Sequence, residues 1–266
     1  MDTETIRLWP DSDIPSTLVR HIRPDLISRP AVLVIPGGGY GVVCEETEGS
    51  PIANRFDELG YQTFVLSYRV SPANPWPATY DDAVRAMRLV RGHAAEWGVI
   101  PDSIAACGFS AGGHLAASLG TVAPHCSTAR AGDRFDAVRA TPDAMVLCYP
   151  VILSGPLAHQ GSVRNLFGGA AAPSAEQEAL FSLDRQVADD TPPAFLWTTV
   201  EDTVVPMENS VAFFRAMRAH GRVCELHVFP HGQHGMQLGY GRRDIALWPS
   251  LADAFLRDSC GFRPPA

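Results

Sequence analysis

The sequence predicts an α/β chain: a mostly parallel, doubly wound sheet with helices on both faces, residues 1–266 forming a single domain, and a small lid or cap inserted at residues 151–193. Three observations predict it. Apolar strand-like runs alternate with helix-like segments along most of the chain, the pattern of a sheet covered on both sides. The pentapeptide Gly108-Phe109-Ser110-Ala111-Gly112 fits G-x-S-x-G and stands between such a run and a helix rich in small residues. The segment from Val151 to Pro193 breaks the alternation with glycines, an alanine run and only short amphipathic pieces such as Ala175–Phe181. A structureless loop of that length is uncommon in a compact domain, so the segment is expected to fold over something near the active site.

The elements follow in order. Ala31–Ile35 is a continuous apolar run ended by Pro36 and three glycines, and predicts a central strand. Pro51–Gly60 predicts a helix, with proline at its start and glycine past its end. Thr63–Tyr68 predicts the next strand. A helix is expected from about Ala78 to Trp97, where Ala83, Met87, Val90 and Ala94 recur three or four apart. Ser103–Cys107 predicts the strand before the pentapeptide, and Gly113–Leu119 the helix after it. Further strands are expected at Ala144–Tyr149, Ala194–Thr199 and Cys224–Phe229, with helices at Val211–His220 and Leu247–Leu256.

Bulk properties exclude several function classes. The chain is 46% apolar and 19% charged, which suits a globular protein with a large core. Its formal net charge of −8 disfavours nucleic acid and anionic membrane surfaces, both of which need a basic face. No run is long enough to span a bilayer, and Met1–Ile6 lacks the basic and apolar regions of a secretory signal. Cys44, Cys107, Cys126, Cys148, Cys224 and Cys260 show no C-x-x-C pairing, so unpaired thiols in a reducing cytoplasm are expected. No metal is expected: nine histidines are present, but no H-E-x-x-H or Cys/His ligand spacing. Association into homo-oligomers is left open.

A serine hydroxyl becomes a nucleophile only when a base takes its proton, and that base needs an orienting carboxylate. On a sheet carrying such a serine the chain order is Ser, then Asp or Glu, then His. Asp202 directly follows the strand ending at Thr199, with Glu201 as its neighbour and competitor. The D-x-x-V-P arrangement, Asp202 to Pro206, favours Asp202. His234 lies in the loop after the last strand, with His231 as rival; the G-x-H-G setting favours His234. His114, four residues past the serine, is expected to pack or hydrogen-bond beneath it. The glycines after Pro36 match neither phosphate-loop pattern. They are expected to present the N–H groups of Gly38 and Gly39, with that of Ala111, to the oxyanion that attack by Ser110 creates.

These residues carry a resemblance to the α/β-hydrolase superfamily over nearly the whole chain. Within it, Pro36–Tyr40, Glu48-Gly49, Tyr68-Arg69-Val70 with Pro72, Pro75 and Pro77, Asp82 with Ala83 and Arg88, Gly108–Gly113, Pro192-Pro193, Asp202 with Pro206, and Gly232–Gly235 resemble the acetylesterase branch, which includes acetyl xylan esterases. Kynurenine formamidases and lipase-like esterases share much of the pattern. Pro36 stands where many relatives have histidine, which argues mildly against the lipase-like branch. The resemblance implies a cofactor-free serine esterase working through an acyl-serine intermediate. Its substrate would be a small acyl ester, acetylated sugar first, with amide hydrolysis by the same triad as the alternative and a non-catalytic binding protein as a third. It further suggests Tyr40, Tyr68 and Trp76 as cleft-lining residues and Glu48 as an acceptor for sugar hydroxyls, although core packing is the stronger expectation for the aromatics.

Overall fold

Strand burial separates into two kinds in the computed structural model, which describes residues 2–23, 25, 27–169 and 172–263. Among these residues the eight strands are β1 (Asp2–Arg7), β2 (Thr17–Ile22), β3 (Arg29–Ile35), β4 (Gln62–Ser67), β5 (Val99–Phe109), β6 (Ala144–Cys148), β7 (Ala194–Thr199) and β8 (Cys224–Phe229). They form one sheet in the order β1-β2-β4-β3-β5-β6-β7-β8, parallel from β4 to β8, with β2 antiparallel to both its neighbours. Central strands β3, β6 and β7 are buried at every residue, which is why their sequences are continuously apolar. Along β3 the side chains alternate between two cores. Ala31, Leu33 and Ile35 join the larger one, and Val32 and Val34 join that on the opposite face.

Among the described residues ten α-helices complete the order: α1 (Glu45–Glu48), α2 (Ser50–Glu58), α3 (Ala78–Gly92), α4 (Ala94–Trp97), α5 (Ala111–Thr121), α6 (Ala123–Cys126), α7 (Gln160–Leu166), α8 (Ala175–Phe181), α9 (Glu208–Ala219) and α10 (Trp248–Asp258). Apolar residues of α3, α5 and α9 fill the larger core, and those of α2 and α10 the other. Among the described residues no helix is long and apolar enough to cross a membrane.

Two differences from the sequence reading have physical causes. The edge strand β1 and its neighbour β2 carry no apolar run. β1 is almost wholly exposed, and its charged and threonine side chains belong to a solvated sheet edge. The helix expected over 78–97 is broken at His93 (φ −97°, ψ 13°), whose ring stacks on Trp97 at 4.4 Å and lies 4.7 Å from Phe135.

The 151–193 segment packs tightly. Val163, Leu166, Phe181 and Leu183 are buried in the larger core. Asn209 Oδ1, on α9, accepts the N–H groups of Ile152 and Leu153 at 3.0 and 2.9 Å. Part of the alanine run, Ala170 and Ala171, lies outside the described residues.

His114 ties this segment to α5. Its Nε2 meets the Phe181 carbonyl at 2.9 Å. A carbonyl only accepts, so Nε2 carries the proton and Nδ1 accepts from the Tyr40 hydroxyl at 2.7 Å. Burial holds the His114 pKa down to about 4. Because the folded value lies below the ordinary 6.5, the neutral ring stabilises the fold fully above pH 6.5, and that stabilisation is lost as pH falls toward 4. By pH 5 the loss from this group is about 2 kcal/mol. Urea unfolding at pH 7.5 and 5 should show it, and His114→Gln, which keeps one donor and one acceptor, should shrink the difference. An undiminished pH dependence in the variant would mean that another group titrates.

Candidate active site

Ser110 occupies the turn between β5 and α5 at φ 53° and ψ −118°, a conformation that costs a non-glycine residue about 1–3 kcal/mol. The surrounding backbone over-determines it. Ser110 N–H donates to the Cys148 carbonyl at 3.0 Å, while its own carbonyl accepts from His114 and Val151 N–H, both at 3.1 Å. Gly112 allows the tight passage: a Cβ there would fall onto the carbonyl oxygens of Ile35 and Pro36.

The next loops supply the partners. Ser110 Oγ lies 2.9 Å from His234 Nε2, and His234 Nδ1 lies 2.6 Å from Asp202 Oδ2. The other Asp202 oxygen, Oδ1, accepts the N–H groups of Val204 and Val205, each at 2.9 Å. Asp202 is thus a buried carboxylate with both oxygens engaged. The competing residues pair elsewhere. Glu201 Oε1 lies 2.8 Å from His231 Nδ1, and Glu201 Oε2 accepts Gly232 N–H at 3.0 Å, in an exposed pair beside the relay.

After β3 the chain runs through Gly38 (φ 125°), Gly39 (φ 62°) and Tyr40 (φ 61°). Among the described residues, the N–H groups of Gly38, Gly39 and Ala111 donate to no protein acceptor. The loop is held from behind. Gly37 N–H donates to Glu48 Oε2 at 2.8 Å, the Tyr68 hydroxyl to the Pro36 carbonyl at 2.8 Å, and Asn165 Nδ2 to the Gly39 carbonyl at 2.9 Å.

Three of the four residues suggested as substrate contacts are therefore scaffold. Tyr40 and Tyr68 are buried and commit their hydroxyls to His114 and Pro36. Glu48 is buried too, joining Gly37 on one oxygen and the Tyr149 hydroxyl, at 2.7 Å, on the other. Burial raises its pKa, against the lowering effect of the Tyr149 and Gly37 hydrogen bonds. A sugar hydroxyl finds no free carboxylate oxygen there. Trp76 is half-buried, edge-on to Phe167 at 6.2 Å, and its backbone N–H donates to the Leu166 carbonyl at 2.6 Å.

Tyr149 is a residue that the sequence reading missed. Its hydroxyl donates to Glu48 and accepts Gln237 N–H at 3.1 Å, and its ring stands edge-on to the His234 imidazole at 5.0 Å. It thereby joins the glycine loop to the histidine loop. Its place directly after an apolar strand, at the same sheet edge as Ser110, is the signal that marks it.

No group of three or more His, Cys, Asp or Glu among the described residues is placed to hold a metal ion.

A serine on a strained strand-to-helix turn, relayed through histidine to aspartate at the carboxyl edge of a sheet in this order, defines an α/β-hydrolase of the serine type. The chain belongs to the BD-FAE family, whose model matches residues 25–217, in the acetylesterase branch of that superfamily. It is similar to a crystallised acetyl ester-xyloside bifunctional hydrolase from Caldicellulosiruptor lactoaceticus, at 37% identity and a TM-score of 0.89, with 97% of each chain covered. It is 38% identical to endo-1,4-β-xylanase B of Butyrivibrio fibrisolvens over 82% of this chain and 34% of that one. It is 29% identical to the acetylxylan esterase of Xylanibacter ruminicola, over 88% of this chain and 45% of the relative. The chain thus spans less than half the length of these two curated relatives.

Proposed function

We propose that the protein is a serine carboxylic ester hydrolase that removes short acyl groups, acetyl first, from a carbohydrate or similar small alcohol. The continuous hydrogen-bonded relay Ser110–His234–Asp202 on the strained elbow carries this reading. His234 Nε2 takes the Ser110 proton as Oγ attacks the ester carbonyl, and Asp202 steadies the imidazolium through Nδ1–H. The N–H groups of Gly38, Gly39 and Ala111 receive the negative oxygen; losing one such donor costs about 3 kcal/mol of transition-state stabilisation. His234 then protonates the departing alcohol, and water releases the acyl group from Ser110 by the same steps in reverse. No cofactor enters the sequence of proton and acyl transfers.

The sugar preference draws support from the relatives: one is called an acetylxylan esterase and another an acetyl ester-xyloside hydrolase. A cap role for the segment 151–193 draws support from α7, which packs against the glycine loop through Asn165. All six cysteines are unpaired, which supports a cytoplasmic location.

A substrate panel tests the reading: p-nitrophenyl esters from C2 to C8, acetylated xylo-oligosaccharides and N-formylkynurenine. Acetyl esters should be hydrolysed at least tenfold faster than octanoyl esters, with activity on the acetylated oligosaccharides. A higher kcat/KM for N-formylkynurenine than for any ester would replace this assignment with an amidase.

A further inference from the structure

His159 is the N-cap of α7 and lies beside the glycine loop: a Cβ built on Gly39 would stand 3.8 Å from both His159 Cε1 and Ser162 Oγ. Its Nδ1 is fully used. It accepts the Ser162 N–H at 3.3 Å as the helix N-cap and lies 2.8 Å from the Ser162 hydroxyl. An acceptor nitrogen carries no proton, so in the neutral ring the proton is on Nε2. Among the described residues Nε2 has no hydrogen-bond partner, and His159 is only partly buried. Burial lowers the His159 pKa from its ordinary value. The loop it touches adjoins the serine: a Cβ built on Gly37 would stand 3.1 Å from Ser110 Cβ.

An unpartnered N–H donor beside the glycine loop calls for an acceptor on the substrate. A short acyl group has no polar atom beyond its carbonyl oxygen, and that oxygen is served by the glycine loop. The acceptor must then sit on the alcohol. We infer that His159 determines alcohol specificity, its Nε2–H donating to an oxygen one or two carbons from the scissile ester, such as the neighbouring hydroxyl of a partly acetylated sugar ring. This rests on the ester-hydrolase reading and adds to it the part of the substrate that the 151–193 segment recognises.

A pair of esters differing in one hydroxyl isolates the contact: trans-2-hydroxycyclohexyl acetate and cyclohexyl acetate. The variant is His159→Asn, because asparagine keeps the N-cap acceptor for Ser162 while removing the donor at the Nε2 position. The wild type should favour the hydroxylated ester in kcat/KM. In His159→Asn that preference should fall about tenfold, the size of one lost hydrogen bond to substrate, with cyclohexyl acetate changed less than twofold. A wild-type ratio near one, a ratio unchanged by the substitution, or an equal loss on both esters overturns the inference while leaving the esterase reading intact. Failure of the wild type to hydrolyse either ester would overturn both.

Discussion

Replacing Ser110 by alanine is expected to lower kcat on p-nitrophenyl acetate by about 10⁴- to 10⁶-fold, with the unfolding transition kept. The size follows from the geometry. Ser110 Oγ is the oxygen that His234 Nε2 holds at 2.9 Å, and no second hydroxyl is bonded to that nitrogen among the described residues. The turn itself is set by backbone contacts, from Ser110 N–H to Cys148 and from His114 and Val151 to the Ser110 carbonyl, none of which involves the side chain. Alanine therefore keeps the elbow and loses the nucleophile. Residual activity, from loop donors and binding alone, should be independent of a serine-directed phosphonate that abolishes wild-type turnover. If Ser110→Ala retained more than a tenth of the wild-type rate, the nucleophile would lie elsewhere.

Asp202→Asn should cost about 10⁴-fold in kcat with the active-site geometry preserved. The reason is directional. Oδ1 of Asp202 faces two N–H donors, from Val204 and Val205, so the amide oxygen of asparagine must take that side. The amide NH₂ then faces His234 Nδ1 and donates to it. That nitrogen becomes the acceptor, the ring proton moves to Nε2, and Nε2 no longer has a lone pair for the Ser110 proton. A pH–rate profile distinguishes this from simple unfolding. Activity in the variant should recover with rising pH, as hydroxide replaces the missing base, while the urea midpoint stays near that of the wild type. A collapsed midpoint with a parallel pH profile would mean that Asp202 chiefly supports the fold.

The central sheet and the relay were legible because their signals are local. β3, β5, β6 and β7 are buried on both faces over most of their length, so each writes an unbroken apolar run, and the loops at their carboxyl ends are where Ser110, Asp202 and the glycines stand. β1 and β2 were not legible, because β1 is an exposed edge strand and β2 beside it is only partly buried, so neither has an apolar run to show. Nor were the supports of the site. Glu48 reads in sequence as a free acid near a glycine loop, and it becomes a strut only because Tyr149, 101 residues later, brings its hydroxyl to it. Asn165 lies 126 residues from the Gly39 carbonyl that it holds.

By itself the sequence determined the alternation of strands and helices, the strained serine, and the order in which acid and base follow it. Periodicity and turn chemistry are written within a few residues and need no partner to be read. Only the tertiary structure shows which polar atoms meet: Asp202 with His234, Glu201 with His231, and Glu48 with Gly37 and Tyr149. Each of those pairings depends on which distant group meets a polar atom, and a hydrogen bond reaches only about 3 Å. Sequence neighbours such as Glu201 and Asp202 can be ranked by their setting, but their partners lie 30 and 32 residues away. It is the fold that turns one toward Ser110 through His234 and the other out to His231.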